Sequence, residues 1–467
     1  MKQEIYPVTT SNLNIVDALD LELRVQDICL KMEQDGFPLD VTECNLQISQ
    51  LQERIDWVDK NILPLIPPKP KQVGTTITKV YKINGEPTKQ VTDWLVATDA
   101  PLCSDELVAG SFNRIEYIPI NLDSSKQVTE WLLSNGWEPT EYNFKKDKGG
   151  KDLKDYYGNK IKTSPKLTED SFQDLEALGA AGSLIAYRRK CTHKRNQIKG
   201  FLRECREDGT VPSVVNTLGA ATGRMTHSKI ANVPAPKERA LWKVMRKVFY
   251  APEGYLVVGA DADQCQVRGL AHYMDDQGFT DTVNDPNIDL HMRNAEIAGV
   301  TRTIAKNIYY GYIFGAGIPK TAAQIGCTEA EALEAREKYE KAIPMVRPLL
   351  TAITQYFRKH GYILGLDGRK IYADSEHMLL CYLLQNFEAV LMKWAMVLIQ
   401  EAIDEYELDA RFVTFQHDEF QLIVKEDQAT FVAKILEDCI EKAGTIIGSR
   451  CIIKGKAEIG KTWYDTH

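Results

Sequence analysis

The sequence predicts an α+β fold, and three stretches of the chain indicate it. The run YLVVGADA at 255–262 is apolar with β-branched residues, as expected of a buried strand, and it ends at an aspartate. The run RFVTFQHDEFQLIV at 411–424 predicts a strand, a tight turn and a second strand. Apolar residues between these two runs recur at the helical period, so we expect a sheet interrupted by a helical insertion.

The other elements follow from the same periodicities. A helical pattern with few breakers runs from about residue 17 to 62. Residues 64–125 contain Pro, Gly and alternating runs such as TTITKVYKI, which predict β-hairpins or an exposed basic insertion. The Lys- and Gly-rich run at 144–162 predicts a mobile loop. Helices are then predicted over about 168–204, 301–313, 329–342, 348–360 and 377–406.

Composition is typical of a soluble globular protein, because 44% of the 467 residues are hydrophobic and 26% are charged. The N-terminal segment lacks the apolar core of a secretory signal, and no apolar run approaches the ~18–20 residues of a membrane span, so we expect a cytoplasmic protein. The ten cysteines are spaced singly, which predicts reduced thiols and no zinc site. The net charge of −8 argues mildly against nucleic acid as a partner. Two basic runs, 187–199 and 237–247, are either solvated helix faces or phosphate contacts.

Carboxylates stand where the predicted strands end. Asp261 closes the first strand, and Asp418 and Glu419 lie in the turn of the predicted hairpin. Two carboxylates around a pair of ions ~4 Å apart form the two-metal clamp of phosphoryl transfer. Mg²⁺ takes one or two carboxylates plus substrate phosphates, so such a site is sparse in sequence. An ordinary polar turn is the alternative for the hairpin carboxylates taken alone.

Arg302, Lys306 and Tyr310 are spaced four residues apart and fall on one face of a predicted helix. Two cations one turn apart can hold a triphosphate, and a tyrosine one turn further along can stack on a sugar or base. His291 is a further candidate phosphate donor. A solvated basic stripe and a surface histidine are the alternatives, so this pattern alone does not decide the function.

Four motifs in a fixed order carry a resemblance to a known family. TGRMTH (222–227), DADQCQVR (261–268), RTIAKNIYYGYIFGAG (302–317) and QHDE (416–419) resemble, in that order, the T-G-R motif and motifs A, B and C of A-family (Pol I-like) DNA polymerases. Further segments, such as IANVPAP and the C-terminal GKTWYDTH, extend the likeness to the bacteriophage replicative enzymes that recruit thioredoxin. The resemblance is dense from about residue 205 onward and looser over about 18–204.

The resemblance implies a right-hand polymerase architecture, with an antiparallel-sheet palm, helical fingers and a helical thumb that carries a β-rich insertion. It implies a thumb and N-terminal helical region at 1–204, a palm at 205–272 and 376–467, and fingers at 273–375. The implied reaction is template-directed addition of deoxynucleotides to a primer 3′-hydroxyl with two Mg²⁺ ions, for which Mn²⁺ can substitute.

The resemblance also implies roles for individual residues. The metal ions would be bound by Asp261, Asp418 and the backbone carbonyl of Ala262, with Lys306 as general acid and Glu419 as a supporting carboxylate. The incoming nucleotide would be bound by Arg302, Lys306, Tyr310, His291, Gln266 and Phe314. Primer-template DNA would be contacted by Arg224, Thr226, Asn232, Gln385, His417 and Arg268. Structural hydrogen bonding is the alternative role for Arg224 and Gln385.

Three positions depart from the family pattern. Gln266 stands where the family has the glutamate that closes off the ribose 2′ position, so we expect ribonucleotide exclusion to survive in a weaker form. Phe314 stands where the phage enzymes have tyrosine, so one hydroxyl contact is absent. Asp263 adds a carboxylate two residues after Asp261, which either perturbs metal binding or points to solvent.

The resemblance also bears on partners. No exonuclease signature fits ahead of the region of likeness, although Asp20 and Glu22 have D-x-E spacing. We therefore expect no proofreading by this chain, and either a separate exonuclease subunit or none. Residues 64–125 contain five lysines and fall where the phage enzymes insert their thioredoxin-binding segment, which predicts a processivity-factor site or else an ordinary surface hairpin. A single-subunit RNA polymerase and a non-catalytic nucleic-acid-binding subunit are the alternative functions.

Overall fold

The computed structural model describes residue 6 and residues 13–97, 110–111, 113–168, 171–235, 241–313 and 315–466. The chain divides into two compact units. Unit 1 contains residues 1–45 and 198–467, and unit 2 contains residues 46–197. The expected thumb at 1–204 therefore corresponds to unit 2 only in part, since the first 45 residues belong to unit 1.

The regular elements are as follows. The described α-helices are α1 (Ile15–Asp35), α2 (Val41–Ile62), α3 (Lys89–Ala97), α4 (Ser125–Ser134), α5 (Phe172–Glu176), α6 (Gly179–Glu204), α7 (Cys265–Met274), α8 (Gln277–Asn284), α9 (Leu290–Ala298), α10 (Arg302–Ile313), α11 (Ile318–Ile325), α12 (Glu329–Ala342), α13 (Val346–His360), α14 (Leu379–Glu405) and α15 (Ala429–Ile446). The described strands are β1 (Phe37–Pro38), β2 (Lys69–Gln72), β3 (Ile115–Ile118), β4 (Tyr142–Phe144), β5 (Lys162–Pro165), β6 (Thr210–Val211), β7 (Val214–Asn216), β8 (Thr226–Ser228), β9 (Tyr255–Ala262), β10 (Ile363–Leu364), β11 (Lys370–Ile371), β12 (Ala410–Gln416), β13 (Glu419–Lys425) and β14 (Gly455–Gly460). Short 3-10 helices cover Leu63–Leu65, Leu241–Val248, Glu376–Met378, Glu426–Gln428 and Trp463–Thr466.

A four-stranded antiparallel sheet lies in unit 1, in the order β12-β13-β9-β14. Residues 257–260 of β9 are buried, which explains why this strand reads as a continuous apolar run. Helix α15 packs on β9 and β14, and α1 packs on β12. The strand predicted at 255–262 and the hairpin predicted at 411–424 are confirmed, and the long insertion between them is helical as expected.

Helix α14 is the most apolar long element of unit 1. Its segment Glu376–Glu405 is long and apolar enough to cross a membrane by length and composition, which the sequence analysis did not anticipate. However, 83% of its most apolar 18-residue window is buried inside the protein, against neighbours that include α1, α7, α13 and α15. The apolar character of α14 is therefore accounted for by packing in the core.

Helix α1 is joined to α14 by a buried ion network. The Nζ atom of Lys393 lies 2.5 and 2.7 Å from the two carboxylate oxygens of Glu22, and Arg369 Nη2 donates to the same carboxylate at 2.9 Å. Arg369 also pairs with Asp367. Glu22 is thus a structural carboxylate, while Asp20 is exposed, so their D-x-E spacing does not form a metal site in this fold.

Unit 2 packs around its own apolar cluster. The cluster joins α2, α4, α5 and α6 and contains the buried residues Val58, Ile62, Trp131, Leu132, Trp137, Phe172 and Ile185. Arg188, within the basic run 187–199, is buried and pairs with Asp59 and Asp123 at 2.5 and 2.9 Å. This run is consequently not a uniform solvated face, because one of its cations supports the interior of unit 2.

The described residues of 64–125 contain paired β-structure, as expected, and also a helix that was not predicted. Strands β2 and β3 pair from Lys69↔Ile118 to Gln72↔Ile115, and the described residues between them include helix α3, which is longer than either strand. Three residues around α3, Ile77, Val80 and Val91, form a small buried cluster. The described part of the insertion therefore combines the β2–β3 strand pair, a short hairpin closed by the Tyr81↔Pro87 bridge, and a helix.

The run at 144–162 is built from two ordered turns rather than the predicted mobile loop. Strands β4 and β5 pair at its base, and single bridges join Lys146 to Asp152 and Lys154 to Lys160. The carboxylate of Asp147 accepts two backbone amides of its turn at 2.8 and 2.9 Å, and that of Asp155 accepts two at 2.9 and 2.8 Å. These Asx turns satisfy the backbone locally, which explains how so polar a segment becomes ordered.

Candidate active site

Two aspartates meet at one edge of the unit 1 sheet. Asp261 lies near the end of β9, directly opposite Glu419 of β13 in the strand register. Asp418 lies in the two-residue turn between β12 and β13, and its backbone carbonyl accepts the amide of Ala262 at 3.1 Å. The first turn residue, His417, has a φ of 57°, a left-handed conformation that is uncommon outside glycine. The hairpin therefore presents Asp418 beside the end of β9, where Asp261 lies.

The electrostatic environment of Asp418 disfavours its charged form. Desolvation raises the pKa of Asp418 to about 7, and Glu388, Asp261 and Glu419 add to the increase. Repulsion between neighbouring carboxylates adds to the effect of desolvation, because both disfavour the charged form. A divalent cation at this edge would relieve the repulsion. The donor set therefore fits a hard, oxygen-binding ion such as Mg²⁺.

The number of protein ligands is small. Within the described ranges, no group of three or more His, Cys, Asp and Glu side chains is arranged to hold a metal ion. The proposed ligands include only two such side chains, those of Asp261 and Asp418, together with one backbone carbonyl. Mg²⁺ sites that are completed by substrate phosphates use few protein ligands. Asp261, Asp418 and Ala262 thus remain the residues that could hold such ions.

Glu419 faces the protein interior rather than the open edge. Its carboxylate accepts Arg246 Nη1 at 2.9 and 3.1 Å, Gln421 Nε2 at 2.7 Å and Trp463 Nε1 at 2.5 Å. Four donor contacts occupy both oxygens of this buried side chain. Glu419 therefore supports the hairpin that carries Asp418, and its contacts do not favour direct metal binding.

Helix α10 carries the predicted cationic face. Arg302 and Lys306 are exposed, and the Lys306 ammonium lies 5.9 Å from the centroid of the Tyr310 ring. Arg302 Nε donates to Asp289 at 2.7 Å, and Asp289 also caps helix α9 by accepting the amide of Met292. One carboxylate thus fixes the start of α9 and the orientation of Arg302, so the two helices present their polar groups together.

His291 is buried beneath this face rather than on the surface. Its ring lies 5.6 Å from Tyr309 and 5.8 Å from Tyr310, and its Nδ1 atom has no hydrogen-bond partner among the described residues. Burial, together with the charges of Lys306 and Arg302, lowers the pKa of His291. A neutral imidazole with an unsatisfied nitrogen supports the tyrosines and retains capacity for a polar ligand.

Tyr310 joins the helical face to the carboxylate edge. Burial raises the pKa of its hydroxyl, and the charges of Asp418, Glu388 and Asp263 raise it further. These electrostatic effects require proximity, so the fold brings motifs far apart in sequence into one site. The predicted Phe314 lies outside the described residues.

A buried glutamate that the sequence analysis missed lies at the centre of this arrangement. Glu388, in α14, pairs with Arg224 Nη2 and accepts Gln266 Nε2 at 2.9 Å. A carboxylate within the site therefore holds Arg224 through its Nη2 atom. This pairing supports the alternative in which Arg224 makes a structural hydrogen bond. A charged residue in the middle of the apolar pattern at 377–406 was the available signal, since an unpaired buried charge is costly.

The remaining predicted DNA contacts divide into two groups. Thr226, Asn232 and His417 are exposed, and Gln385 is half-buried with its amide 3.2 Å from Cys381 Sγ. His417 stacks on His227, with ring centroids 5.8 Å apart. Gln385 shares helix α14 with Glu388, and His417 shares the hairpin turn with Asp418, whereas Thr226 is in β8 and Asn232 lies after that strand.

Arg268 requires a correction. It is buried, and its guanidinium donates to the carbonyls of Asp263 and Ile452 at 2.9 and 2.5 Å and to the carboxylate of Asp263 at 3.2 Å. These contacts fix the loop between β9 and α7, so we withdraw Arg268 from the predicted DNA contacts. They also give Asp263 a structural partner. This differs from both expectations for Asp263, which were that it perturbs metal binding or points to solvent.

Comparisons with known proteins identify the family of this chain. Residues 105–465 match the family model for DNA polymerase family A. DNA-directed DNA polymerases of Enterobacteria phage T3 and Escherichia phage T7 are each 24% identical to this chain over 506 residues, which covers 97% of the chain and 70% of the relative. A DNA polymerase I of Pseudomonas aeruginosa is 28% identical over 271 residues, covering 53% of the chain and 29% of the relative.

A solved structure shares the fold. It is described as the POL domain of Pol1 from M. smegmatis in complex with DNA primer-template and dNTP. Its TM-score to this chain is 0.71 at 21% identity, and the match covers 95% of this chain and 70% of that one. The likeness extends across both helical and sheet elements, so it concerns the overall architecture.

Proposed function

Because this chain belongs to DNA polymerase family A, we propose that it is a template-directed DNA polymerase that adds deoxynucleotides to a primer 3′-hydroxyl. One observation carries the proposal. Asp261 and Asp418 meet at a sheet edge, and the charge of Asp418 acts on Tyr310, whose helix also presents Arg302 and Lys306. A nucleic-acid-binding subunit without catalysis would have no need of carboxylates, cations and a tyrosine assembled in this way.

Two Mg²⁺ ions, or Mn²⁺ in their place, would be held by Asp261, Asp418 and the carbonyl of Ala262. Bound there, the ions would lower the pKa of the primer hydroxyl and stabilise charge on the phosphates. The role of the protein is to hold both carboxylates at one edge of the sheet, one at the end of β9 and the other in the His417–Asp418 turn. Arg246 and Trp463 keep Glu419 in place behind that turn.

The incoming deoxynucleoside triphosphate would lie along helix α10. Arg302 and Lys306 would bind its phosphates, with His291 as a further donor, and Tyr310 would pack against its sugar and base. Lys306 is exposed and close to Tyr310, a position that suits a general acid for the departing pyrophosphate. Gln266 would lie at the sugar.

Primer-template DNA would be contacted by Arg224, Thr226, Asn232, Gln385 and His417. In this arrangement the sheet and its hairpin form the palm at 205–272 and 376–467, the helical insertion at 273–375 forms the fingers, and the thumb lies within 1–204. The proposal also includes a processivity-factor site at 64–125, an exonuclease that is either a separate subunit or absent, and a cytoplasmic location.

Primer extension by the purified chain tests this function. The reaction contains Mg²⁺, an end-labelled primer on a DNA template, and either deoxy- or ribonucleotides, with a mismatched primer in parallel. We expect extension with deoxynucleotides, little with ribonucleotides, and no shortening of the mismatched primer. Preferred use of ribonucleotides would favour the RNA polymerase alternative, and DNA binding without extension would favour the binding subunit.

A further inference from the structure

Helix α14 carries a buried carboxylate that the proposed roles do not use. Glu388 is 1% exposed, and the flanking residues Phe387, Ala389 and Val390 are buried and apolar. A carboxylate in such surroundings is costly unless charged or polar groups are paired with it. The partners that the described structure gives it are Arg224 and Gln266, and both belong to the candidate active site.

Glu388 fixes which end of the Gln266 amide faces it. An ionised carboxylate has acceptors only, so it can bind the NH₂ group of a glutamine but not its carbonyl oxygen. Gln266 Nε2 donates to Glu388 Oε2 at 2.9 Å, which directs Oε1 away from the glutamate. That oxygen is buried and has no hydrogen-bond partner among the described residues. The amide is therefore held at one end and leaves an acceptor for a ligand at the other.

The pair lies where the sugar of an incoming nucleotide is proposed to bind. Glu388 is close enough to Tyr310 and Asp418 to raise the pKa of both groups. Gln266 is in the first turn of α7, immediately after the loop that follows Asp261 and Ala262. Gln266 is thus bound to a glutamate whose charge acts on both Tyr310 and Asp418, and it follows the Asp261 strand closely in the chain.

We infer that Glu388 is a positioning residue that holds the Gln266 side chain in one orientation at the sugar of the incoming nucleotide and thereby sets the discrimination between deoxy- and ribonucleotides. This inference rests on the proposed function, which assigns Gln266 and Tyr310 to that sugar. A fixed side chain fills the space that a 2′-hydroxyl would need. A glutamine released from Glu388 gains rotamers, and some of these open that space.

Substitutions of Glu388 test the inference through a ratio of rates. Single-nucleotide incorporation is measured with a deoxynucleotide and with the matching ribonucleotide, and discrimination is the ratio of the two kcat/KM values. In Glu388→Gln the new amide can bind either end of Gln266, so we expect discrimination to fall about tenfold. Glu388→Ala should lower it at least as far. Glu401→Gln, at an exposed position of the same helix, is the matched control and should leave the ratio unchanged.

Exchanging the two side chains between positions 266 and 388 should rescue the discrimination that the single substitutions lose. Gln266→Glu alone places a second carboxylate against Glu388 and should reduce incorporation of both nucleotides by repulsion. Gln266→Glu combined with Glu388→Gln restores one carboxylate paired with one amide next to Arg224, and should restore discrimination to at least the wild-type ratio. Recovery in the double variant is a coupling that independent effects on stability would not produce.

The outcomes separate the inference from the function on which it rests. A purely structural role, or an effect on the metal ions, would lower both rates together and leave the ratio constant. An unchanged ratio in Glu388→Gln, or no recovery in the double variant, would overturn the inference while the polymerase function stands. If Glu388→Ala fails to fold, the isosteric Glu388→Gln and the double variant still decide. Absence of deoxynucleotide extension by the wild-type chain would instead overturn the proposed function itself.

Discussion

A single guanidinium nitrogen of Arg246 lies 2.9 and 3.1 Å from the two carboxylate oxygens of Glu419. The indole of Trp463 completes the contact, since its Nε1 donates to Glu419 and its ring lies 4.4 Å from the Arg246 guanidinium carbon. Glu419 is opposite Asp261 in the strand register. The protein itself therefore compensates this carboxylate, and Asp261 and Asp418 remain the pair that we assign to the metal ions.

Removal of Arg246 should destabilise the sheet edge. Arg246→Met would leave Glu419 buried without its cation, and we expect the free energy of unfolding to fall by about 3–5 kcal/mol. Lys247→Met, the same substitution at the adjacent exposed position, should change it by less than about 0.5 kcal/mol. Denaturant titration measures both variants. Equal effects of the two substitutions would show that the buried pair contributes nothing specific.

Asp418 and Asp263 are neighbouring carboxylates with different expected roles. Asp418→Asn removes charge from the proposed metal-binding edge, so we expect primer extension to fall by about 10²–10³-fold or more while DNA binding is retained. Asp263→Asn should retain most of the extension, because Arg268 keeps two backbone carbonyls as partners. Extension assays and a DNA-binding titration decide. Similar losses in both variants would argue that Asp263 acts at the metal site.

Lys306 should contribute to the chemical step. Its ammonium is exposed on α10 near Tyr310, and the loss of a general acid typically lowers a rate by about 10²–10⁴-fold. We expect Lys306→Ala to lower the rate of single-nucleotide incorporation within that range. Lys320→Ala, an exposed lysine of the following helix, is the control and should have little effect. A change in KM alone would indicate that Lys306 binds the triphosphate without assisting catalysis.

The sequence predicted the parts of the site that depend on local pattern. The strand at 255–262 and the helix at 329–342 have the predicted bounds. The strand is set by an uninterrupted apolar run, and the start of the helix is set by its capping residue, Thr328. The roles of Glu388 and Arg268 could not be predicted in this way. Each depends on which groups the fold brings to it from distant segments, namely Arg224 for Glu388 and the carbonyl of Ile452 for Arg268.

Acid should destabilise unit 1 through His272. Burial lowers the pKa of this histidine to about 3, helped by the charge of Arg450, whose backbone amide donates to Nδ1. The unfolded chain takes up the proton near pH 6.5 and the folded chain does not, so the stabilising effect is complete above pH 6.5 and is lost as the pH falls toward 3. At pH 5 the loss reaches about 2 kcal/mol.

A variant isolates the contribution of His272. His272→Asn keeps an acceptor for Arg450 but does not titrate, so it should lose about 2 kcal/mol less than the wild type between pH 7.5 and pH 5. The pKa of His227 is also lowered, to about 4, and only the difference between the two proteins is therefore assigned to His272. Denaturant unfolding at both pH values measures that difference. Equal acid sensitivity of the two proteins would contradict the assignment.

The insertion at 64–125 can be removed without breaking the strands that hold it. Strands β2 and β3 pair through Gln72↔Ile115, and the amide of Val73 donates to the carbonyl of Arg114 at 2.9 Å, so the chain returns to its starting point at residues 73 and 114. Replacing residues 74–113 by Asn-Gly would close β2 and β3 with a two-residue turn of the type that suits antiparallel strands. Lys79, Lys82 and Lys89 are removed, while Lys69 and Lys71 stay in β2.

This excision should separate processivity from chemistry. If the segment holds DNA or a processivity factor over the template, we expect the number of nucleotides added per binding event to fall severalfold on a long template, with single-nucleotide incorporation unchanged. A variant in which Lys79, Lys82 and Lys89 become Gln keeps the segment but removes its charge, so it tests whether charge alone is responsible. Adding a thioredoxin to each protein tests for a bound factor, because a factor that binds the segment would raise the processivity of the intact chain and not that of the excised one. Unchanged processivity after excision, with and without the factor, would make the segment an ordinary surface insertion.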